Sequence, residues 1–186
     1  PKSTLSPSSA ASDVYKRQAV NKLVRQSADA LFQAGAYIVH LTGDNDPDIH
    51  SLQHPQYIAL AFYDHMAALL RRANLAISRS GAGSLTELAV CGTPAILIPY
   101  PFAAEDHQSY NAAVFTQAGA ALSFKQSDLT PEIFTTQVLN LLQSPTELGK
   151  MGENAKAIAV PDSADKLATL VLSLIHISEP TRQAEI

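Results

Sequence analysis

Apolar and polar residues along the body of this chain alternate between helical spacing and the spacing of short strands. Val20 to Phe32 carries apolar residues at helical spacing, and Gly35 follows as a residue that commonly ends a helix. Tyr37 to Leu41 is a short β-rich run and predicts the first strand. A polar loop from Thr42 to Pro55 then leads to a second predicted strand, Tyr57 to Phe62.

The second half of the body continues this alternation. Asp64 is placed to cap a helix that runs to Arg72, and Leu75 to Ser78 predicts the third strand. After a glycine-rich turn, Leu85 to Cys91 is predicted to be helical, and Ala95 to Pro99 is an apolar run typical of a strand buried on both faces. The remaining predicted elements are a helix from Asp106 or His107 to Gly119, a strand from Ala121 to Phe124, and two or three helices from Thr130-Pro131 to about Val171.

This order of strands and helices predicts an α/β fold, with an open parallel sheet and helices on both of its faces. Ligands of such sheets bind beyond the carboxyl ends of the strands. The turns that follow Phe62, Ser78 and Pro99 all lie at that edge. We therefore expect these three segments to meet in one crevice.

Composition narrows the class of protein. The chain has 186 residues, 46% hydrophobic and 16% charged, as expected of a globular domain. Its net charge of −4 gives no basic surface for nucleic acid, and no apolar run is long enough to span a membrane. The single cysteine, Cys91, excludes an internal disulfide and is predicted to be a packed, inert thiol. These features predict a cytosolic protein without nucleic-acid partners.

Both ends of the chain differ from its body. Residues 1–18 are rich in Ser and Pro and have no periodic pattern, and residues 173–186 break the preceding helical rhythm. Both resemble translated adaptor or cloning sequence, with natural disordered tails as the alternative. We expect the folded domain to span residues 19–172, and the natural protein to continue on the N-terminal side of Ala19.

The most informative stretch runs from Arg79 to Glu87, RSGAGSLTE, between the third strand and the following helix. Small residues at such a turn let backbone amides approach an anion, and the start of the helix adds unpaired N–H groups with partial positive charge. Phosphate is the expected ligand, and the Glu87 carboxylate is placed to accept hydrogen bonds from a ribose diol. The alternative is a capping box, in which Ser84 and Glu87 satisfy the amides of the helix itself.

A second group of polar residues follows the fourth strand. Asp106, Gln108 and Asn111 bring a carboxylate and two amides to the start of a helix, and such groups suit a polyhydroxylated ring. His107 lies beside the same position. The alternative is an Asp cap followed by solvent-exposed polar residues.

A cluster of acidic residues, Asp44-Asn45-Asp46-Pro47-Asp48, is compatible with a metal–diphosphate site. Because it has no apolar framing, a solvated turn is the favoured interpretation. The six histidines show no metal-ligand spacing, and His40 is most simply a packed or edge residue of its strand.

The segment RSGAGSLTELAVCGTPAILIPYPFAAEDHQSYNAAVFTQAGAA resembles the donor-binding half of the MurG family. The similarity extends over about residues 19–172, including FYDHMAALLRRANLAISRSGA and PDSADKLATLV. That family transfers N-acetylglucosamine from its UDP form to the lipid-linked muramyl-pentapeptide precursor of bacterial peptidoglycan. The resemblance implies the Rossmann-like C-terminal domain of a two-domain GT-B glycosyltransferase, bound peripherally to the cytoplasmic face of the plasma membrane, with no metal or other cofactor.

The resemblance also implies roles for individual residues. The turn formed by Ser80, Gly81, Ala82, Gly83 and Ser84 would lie against the phosphates and ribose of the donor. Glu87 would hold the ribose hydroxyls, and Phe62-Tyr63 would present its backbone to the uracil edge, although the family often has an aliphatic residue in place of Tyr63. Gln108 and Asn111 would surround the sugar hydroxyls, with Asp106 and His107 adjacent.

Three parts expected of the family have no counterpart in this sequence: the glycine-rich loop before the first helix, the first strand of the domain, and the acceptor domain. We therefore assign no catalytic residue. Two alternatives stay open, a donor-binding subunit of a split glycosyltransferase and a UDP-sugar epimerase of similar architecture.

Overall fold

The predicted succession of strands and helices is present in the computed structural model of the chain. The structure describes residues 7–162, 165–166 and 168–172, with side-chain surroundings from Arg17 onward. The predicted C-terminal tail, residues 173–186, and the first six residues of the predicted N-terminal tail lie outside the described residues. The extent of the domain and the foreign origin of the two ends stay predictions.

The first helix, α1, spans Pro7–Gln33 and begins well before the predicted start at Val20. Proline is favoured at the first helical position, and the residues between Pro7 and Val20 include good helix formers with no glycine or further proline to stop the helix. Its C-terminal end agrees with the prediction. Gly35 adopts a left-handed conformation with φ 83°, and its amide donates to the carbonyl of Phe32 at 2.9 Å.

Two parallel strands, β1 (Ile38–Leu41) and β2 (Tyr57–Leu60), form the first sheet. Ile38 pairs with Tyr57 and Leu41 with Leu60. The connection between the strands is a loop, as predicted, and β2 ends before Phe62. This sheet packs against α1 through a small apolar cluster that includes Phe32 and Tyr57.

Three further parallel strands form the second sheet, in the order β3-β4-β5. A helix precedes each of these strands, as expected for parallel strands that are joined by right-handed crossovers. The elements are α2 (Met66–Arg72), β3 (Ala76–Ser78), α3 (Ala82–Cys91), β4 (Ala95–Leu97), α4 (His107–Gln117) and β5 (Ala121–Ser123). The N-cap of α2 is His65 rather than the predicted Asp64, and no side chain caps this helix.

The central strand β4 is buried on both faces, as its composition predicts. Ala95 and Leu97 face a cluster formed with α2, α3 and α4, which includes Cys91. Ile96 and Ile98 face the opposite cluster, formed with α1 and the last two helices. All four side chains are inaccessible to solvent. The hydrophobic core therefore lies on both sides of the second sheet.

Two helices, α5 (Pro131–Leu142) and α6 (Pro145–Ala157), close the second core cluster. Thr130 caps α5 as predicted, because its hydroxyl accepts from the amide of Ile133 at 3.3 Å. Gly152 lets α6 approach the turn after α3 closely, since a Cβ there would lie 2.7 Å from the Gly92 carbonyl oxygen. Residues 165–166 and 168–172 are helical, and none of the helices in the described ranges is long and apolar enough to cross a membrane.

The parallel strands form two sheets rather than the single predicted sheet, because no hydrogen-bonded ladder joins β1 to β3 in the described part of the chain. In a doubly wound sheet the strands lie in the order 3-2-1-4-5-6. The order β2-β1 corresponds to its strands 3-2, and the order β3-β4-β5 corresponds to its strands 4-5-6. The two sheets thus match the two sides of position 1. Both sheets contribute to one core, since Ile38 of β1 and Ile77 of β3 pack against the same buried cluster.

Candidate functional site: the carboxyl edge of the second sheet

Helix α3 begins at Ala82, directly after the glycine-rich turn. Its N-cap is Gly81, and no side chain makes a capping hydrogen bond. The alternative of a Ser84–Glu87 capping box is therefore wrong. Ser84 is already the third residue of the helix and cannot serve as its N-cap, because the chain enters the helix three residues earlier than predicted.

The first turn of α3 is open to solvent. Ala82, Gly83 and Ser84 are all exposed, and the amides at these positions have no partner within the helix. A Cβ placed on Gly81 or Gly83 would meet nothing within 4 Å, and neither residue has a positive φ. Packing and backbone conformation within the described chain thus do not require glycine here. The surface above the amides is clear and carries the partial positive charge of a helix start.

Glu87 is exposed on the same helix, one turn beyond the start. Its carboxylate makes no hydrogen bond to another described residue. It is therefore available to a ligand that lies along the first turn of α3.

Two hydrogen bonds join Ser80 of the glycine-rich turn to the start of α4, and a third joins α4 to the loop after β4. The Ser80 hydroxyl, which is fully buried, donates to the Gln108 carbonyl at 2.7 Å. Asn111 Nδ2 donates to the Ser80 carbonyl at 3.1 Å. The Tyr100 amide donates to Gln108 Oε1 at 2.9 Å. The structure thus brings together two of the three segments that were expected to meet. We call this contact, between Ser80 and the residues Gln108 and Asn111 of α4, the seam.

These contacts decide what each amide side chain can offer to a ligand. Gln108 uses its oxygen within the chain, so its Nε2 remains as a donor. Asn111 uses its nitrogen, so its Oδ1 remains as an acceptor. Both residues are half-buried. The seam therefore presents one donor and one acceptor in fixed orientations, an arrangement suited to hydroxyl and amide groups.

Asp106 and His107 lie at the exposed start of α4. Asp106 is its N-cap, as the alternative interpretation predicted, but its carboxylate accepts from the Ser109 hydroxyl at 2.6 Å rather than from a helix amide. Asp106 and the preceding Glu105 both have positive φ, 53° and 52°, which is costly for side chains with a Cβ. His107 Nδ1 lies 2.8 Å from the Ala104 carbonyl and must carry the proton there.

Arg79, which the sequence reasoning did not single out, connects the ends of all three strands of the second sheet. From the end of β3, its Nη1 donates to the Ile98 and Pro99 carbonyls at 3.0 and 3.2 Å, and its Nη2 to Gln126 Oε1 at 2.6 Å. The guanidinium also lies 5.5 Å from the centre of the Tyr100 ring. Burial lowers the pKa of Arg79 to about 10, so the side chain stays charged at neutral pH.

The Phe62-Tyr63 segment follows β2, at the carboxyl edge of the first sheet. Phe62 is 70% exposed, and the Tyr63 ring packs edge-on against His65. No hydrogen bond between described residues joins this segment to the glycine-rich turn. The meeting of this third segment with the other two stays a prediction.

The interpretation of Asp44 to Asp48 as a solvated turn is wrong at its centre. The Asp46 carboxylate is 3% exposed and forms an ion pair with Arg25, whereas Asp44 and Asp48 are exposed. No local sequence pattern signals this site, because Asn21 and Arg25 lie 25 and 21 residues away from Asp46 along the chain. Among the described residues, no group of three or more His, Cys, Asp or Glu side chains is arranged to hold a metal ion.

The fold is that of an α/β domain of the kind that forms the C-terminal half of GT-B glycosyltransferases. The chain belongs to glycosyltransferase family 28: residues 16–167 match the model of the family's C-terminal domain.

Curated relatives and solved structures agree with this assignment. The chain is 83% identical over 158 residues to a protein of Nostoc sp. PCC 7120 named UDP-N-acetylglucosamine--N-acetylmuramyl-(pentapeptide) pyrophosphoryl-undecaprenol N-acetylglucosamine transferase, and 60% identical to a protein of the same name from Rippkaea orientalis. The matches cover 85% and 86% of this chain but only 44% and 46% of those relatives.

The structure is similar to the crystal structure of Acinetobacter baumannii MurG, with a TM-score of 0.72, 28% identity and coverage of 84% of this chain and 46% of that one. The glycosyltransferase VinC, solved in complex with DTDP, has a TM-score of 0.61 over 82% of this chain and 36% of its own length. At 20% identity, VinC shows the shared fold alone.

Proposed function

We propose that this chain is the donor-binding half of an N-acetylglucosaminyltransferase that uses UDP-N-acetylglucosamine and delivers the sugar to a lipid-linked muramyl-pentapeptide. The names of the relatives support the donor, the acceptor and the reaction. Because the chain spans less than half of those relatives, the acceptor site is assigned to the remainder of the longer protein. The same coverage favours a single-chain transferase over a split subunit, and the names favour transfer over epimerisation.

The observation that carries this proposal is the clear, uncapped start of α3 beside Glu87. The amides at Ala82, Gly83 and Ser84 are placed to bind the diphosphate of the donor. During transfer the bond between the anomeric carbon and the diphosphate breaks, and negative charge grows on the departing UDP. Fixed amides and the helix start stabilise that charge without reorganising.

The remaining site residues position the rest of the donor. Glu87 accepts hydrogen bonds from the ribose hydroxyls, and the backbone of Phe62-Tyr63 reads the uracil edge. Gln108 Nε2 donates to the sugar or its acetamido oxygen, and Asn111 Oδ1 accepts from a sugar hydroxyl. Asp106 and His107 border this sugar position. No residue of this chain is assigned as the base that removes the acceptor proton.

The lipid-linked acceptor places the working enzyme at a membrane. We propose that the protein acts peripherally, at the cytoplasmic face of the bacterial plasma membrane, where a soluble nucleotide sugar and a lipid-linked acceptor meet. The name shared by the relatives, which includes undecaprenol in the acceptor, supports this location.

A pair of glycine substitutions tests the diphosphate site on this chain. Gly83→Ala and Gly149→Ala both place a methyl group in open space on a helix, so each should leave the fold intact and raise the free energy of unfolding by roughly 0.5 kcal/mol. Only Gly83→Ala obstructs the phosphate surface. Calorimetry should show UDP affinity lowered about tenfold by Gly83→Ala and unchanged by Gly149→Ala. Absence of UDP binding to the unsubstituted chain, or an equal effect of both changes, contradicts the proposal.

A second experiment isolates the ribose contact. Glu87→Ala should weaken UDP binding by about ten- to a hundredfold, the usual loss for a hydrogen bond to a charged group. The affinity of 2′,3′-dideoxy-UDP should be the same with and without the substitution, because this analogue lacks both hydroxyls. If Glu87→Ala weakens the two ligands equally, the carboxylate does not bind the diol.

A further inference from the structure

A buried polar network lies beneath the first sheet and is not part of the site described above. We call it the β1 network: Asn21 and Arg25 of α1, His40 of β1, Asp46 of the loop between β1 and β2, and Tyr57 of β2. His40 Nδ1 lies 2.7 Å from the Tyr57 hydroxyl, and His40 Nε2 lies 3.1 Å from Asn21 Oδ1. Asn21 Nδ2 lies 2.9 Å from Asp46 Oδ2, which also pairs with Arg25.

The partners fix the direction of every hydrogen bond in the network. Asn21 Nδ2 donates to the Thr42 carbonyl at 3.0 Å and to the Asp46 carboxylate, both of which only accept. Asn21 Oδ1 must therefore accept from His40 Nε2. His40 Nδ1 is then the unprotonated nitrogen and accepts from the Tyr57 hydroxyl. The network thus has a single consistent arrangement.

The network holds the start of the loop that follows β1. Asn21 binds the Thr42 carbonyl, and Asp46 Oδ1 accepts from the Asp48 amide at 3.1 Å, so that both oxygens of this carboxylate are used. Thr42 and Gly43 are buried at this point. Polar contacts of Asn21, Arg25 and Asp46 therefore hold this part of the loop against α1.

This loop is bonded directly to the chain that leads into Phe62-Tyr63. The Thr42 amide donates to the Leu60 carbonyl at 2.9 Å, and the Gly43 amide donates to the Ala61 carbonyl at 3.1 Å. Ala61 immediately precedes the segment that the proposed function assigns to the uracil edge. A continuous set of hydrogen bonds thus runs from Asn21 to the residue before Phe62.

We infer that the β1 network positions the Ala61–Tyr63 backbone, so that Asn21 and Asp46 are positioning residues for recognition of the base. This inference rests on the proposed function for the identity of the ligand. A buried ion pair is a weak source of stability, because desolvation offsets the attraction of the two charges. The network instead gives one defined geometry to a loop edge that has few apolar contacts.

A matched pair of asparagine substitutions tests this inference. Asn21→Ala removes the centre of the network. Asn154→Ala removes a similar amide-to-carbonyl bond, from Asn154 Nδ2 to the Gly119 carbonyl at 3.1 Å, elsewhere in the molecule. In the ligand-free chain, hydrogen–deuterium exchange of residues 60–64 should be about tenfold faster in Asn21→Ala and unchanged in Asn154→Ala.

The second readout is the ratio of UDP to ADP affinity, which a general loss of stability does not change. Asn21→Ala should lower this ratio about tenfold, because the backbone that distinguishes uracil from adenine is loosened, and Asn154→Ala should leave it unchanged. If Asn21→Ala does not fold, Asp46→Asn, which keeps the side-chain shape and removes the charge, takes its place in both measurements.

The outcomes separate this inference from the proposed function. Exchange of residues 60–64 that is equal in the Asn21 and Asn154 variants overturns the positioning role. Faster exchange with an unchanged UDP-to-ADP ratio overturns the link to base recognition. If the unsubstituted chain binds no UDP, the proposed function fails, and the exchange rates alone decide whether the network positions this segment.

Discussion

The two sheets of this domain are stabilised in different ways. The second sheet has a central strand, β4, whose side chains are all fully buried in apolar surroundings on both faces. The first sheet leaves Val39 and Ile58, which lie opposite each other, 41% and 54% exposed. Its buried side includes the hydrogen-bonded His40 and Tyr57. Apolar packing defines the second sheet, whereas directional polar contacts contribute much of the definition of the first.

This difference has a functional meaning for the proposed donor site. Polar contacts specify one geometry but add little net stability, while apolar burial adds stability without specifying direction as sharply. The second sheet is therefore a rigid base for the glycine-rich turn, and the first sheet is expected to be the more flexible of the two. Three measurements test this difference between the sheets.

The largest expected effect comes from matched truncations in the two sheets. Ile96→Ala removes a fully buried side chain from β4 and should lower the free energy of unfolding by about 2–5 kcal/mol. Ile58→Ala removes a half-exposed side chain from β2 and should cost less than about 1 kcal/mol. Urea unfolding measures both. Equal costs would show that the first sheet depends on packing as much as the second.

An intermediate effect is expected from pH, through His40 of the first sheet. Burial, assisted by the charge of Arg25 and opposed by that of Asp46, lowers the pKa of His40 from 6.5 to about 4. The unfolded chain then binds more protons than the folded chain between these values, so this contribution to stability is present above pH 6.5 and is lost as pH falls toward 4. Between pH 7 and pH 5 the loss should be about 2 kcal/mol.

The control for this pH effect is His40→Gln, which keeps a polar side chain but does not titrate. This variant should show a flatter decline in unfolding free energy between pH 7 and pH 5 than the unsubstituted chain. Strands β3, β4 and β5 contain no titratable side chain, so they contribute nothing to this decline. Parallel pH profiles of the variant and the parent would mean that His40 is not the responsible group.

The smallest effect compares two buried threonines. The Thr93 hydroxyl, beside the second sheet, donates to the Leu70 carbonyl at 2.9 Å. The Thr42 hydroxyl, directly after β1 of the first sheet, lies 3.3 and 3.4 Å from the carbonyls of Gly43 and Leu60. Thr93→Val should cost about 1 kcal/mol, and Thr42→Val about half as much. Thermal unfolding of the two variants provides the comparison, and the reverse order would show that the polar contacts of the first sheet are the stronger ones.

Local sequence patterns determined most of the fold. Periodicity and glycine placement located every strand and the end of α1, because side-chain spacing and left-handed glycines act over a few residues. Strand ends were overextended by one or two residues, as at Phe62. The start of α1 was wrong because residues with good helix propensity carry a helix without an apolar stripe.

The candidate site was predictable in outline but not in its internal contacts. The turn at Gly81–Ser84 was located from its composition. Its helix start was misplaced, because Gly81 caps α3 through its backbone conformation alone. The roles of Arg79 and Asp46 depend on carbonyls and side chains that lie far away in sequence, which no local pattern encodes. Such long-range polar partners become visible only once the chain is folded.

The only cysteine of the sequence, Cys91, lies in the apolar cluster between α2 and α3, with Sγ 3.8 Å from the Ala67 carbonyl. A thiol reagent therefore reaches this site only when α3 separates from its neighbours. The rate of labelling under native conditions reports how often that half of the molecule opens. Labelling of the native Cys91 thiol thus measures how often the half of the molecule that contains the second sheet opens, without any substitution.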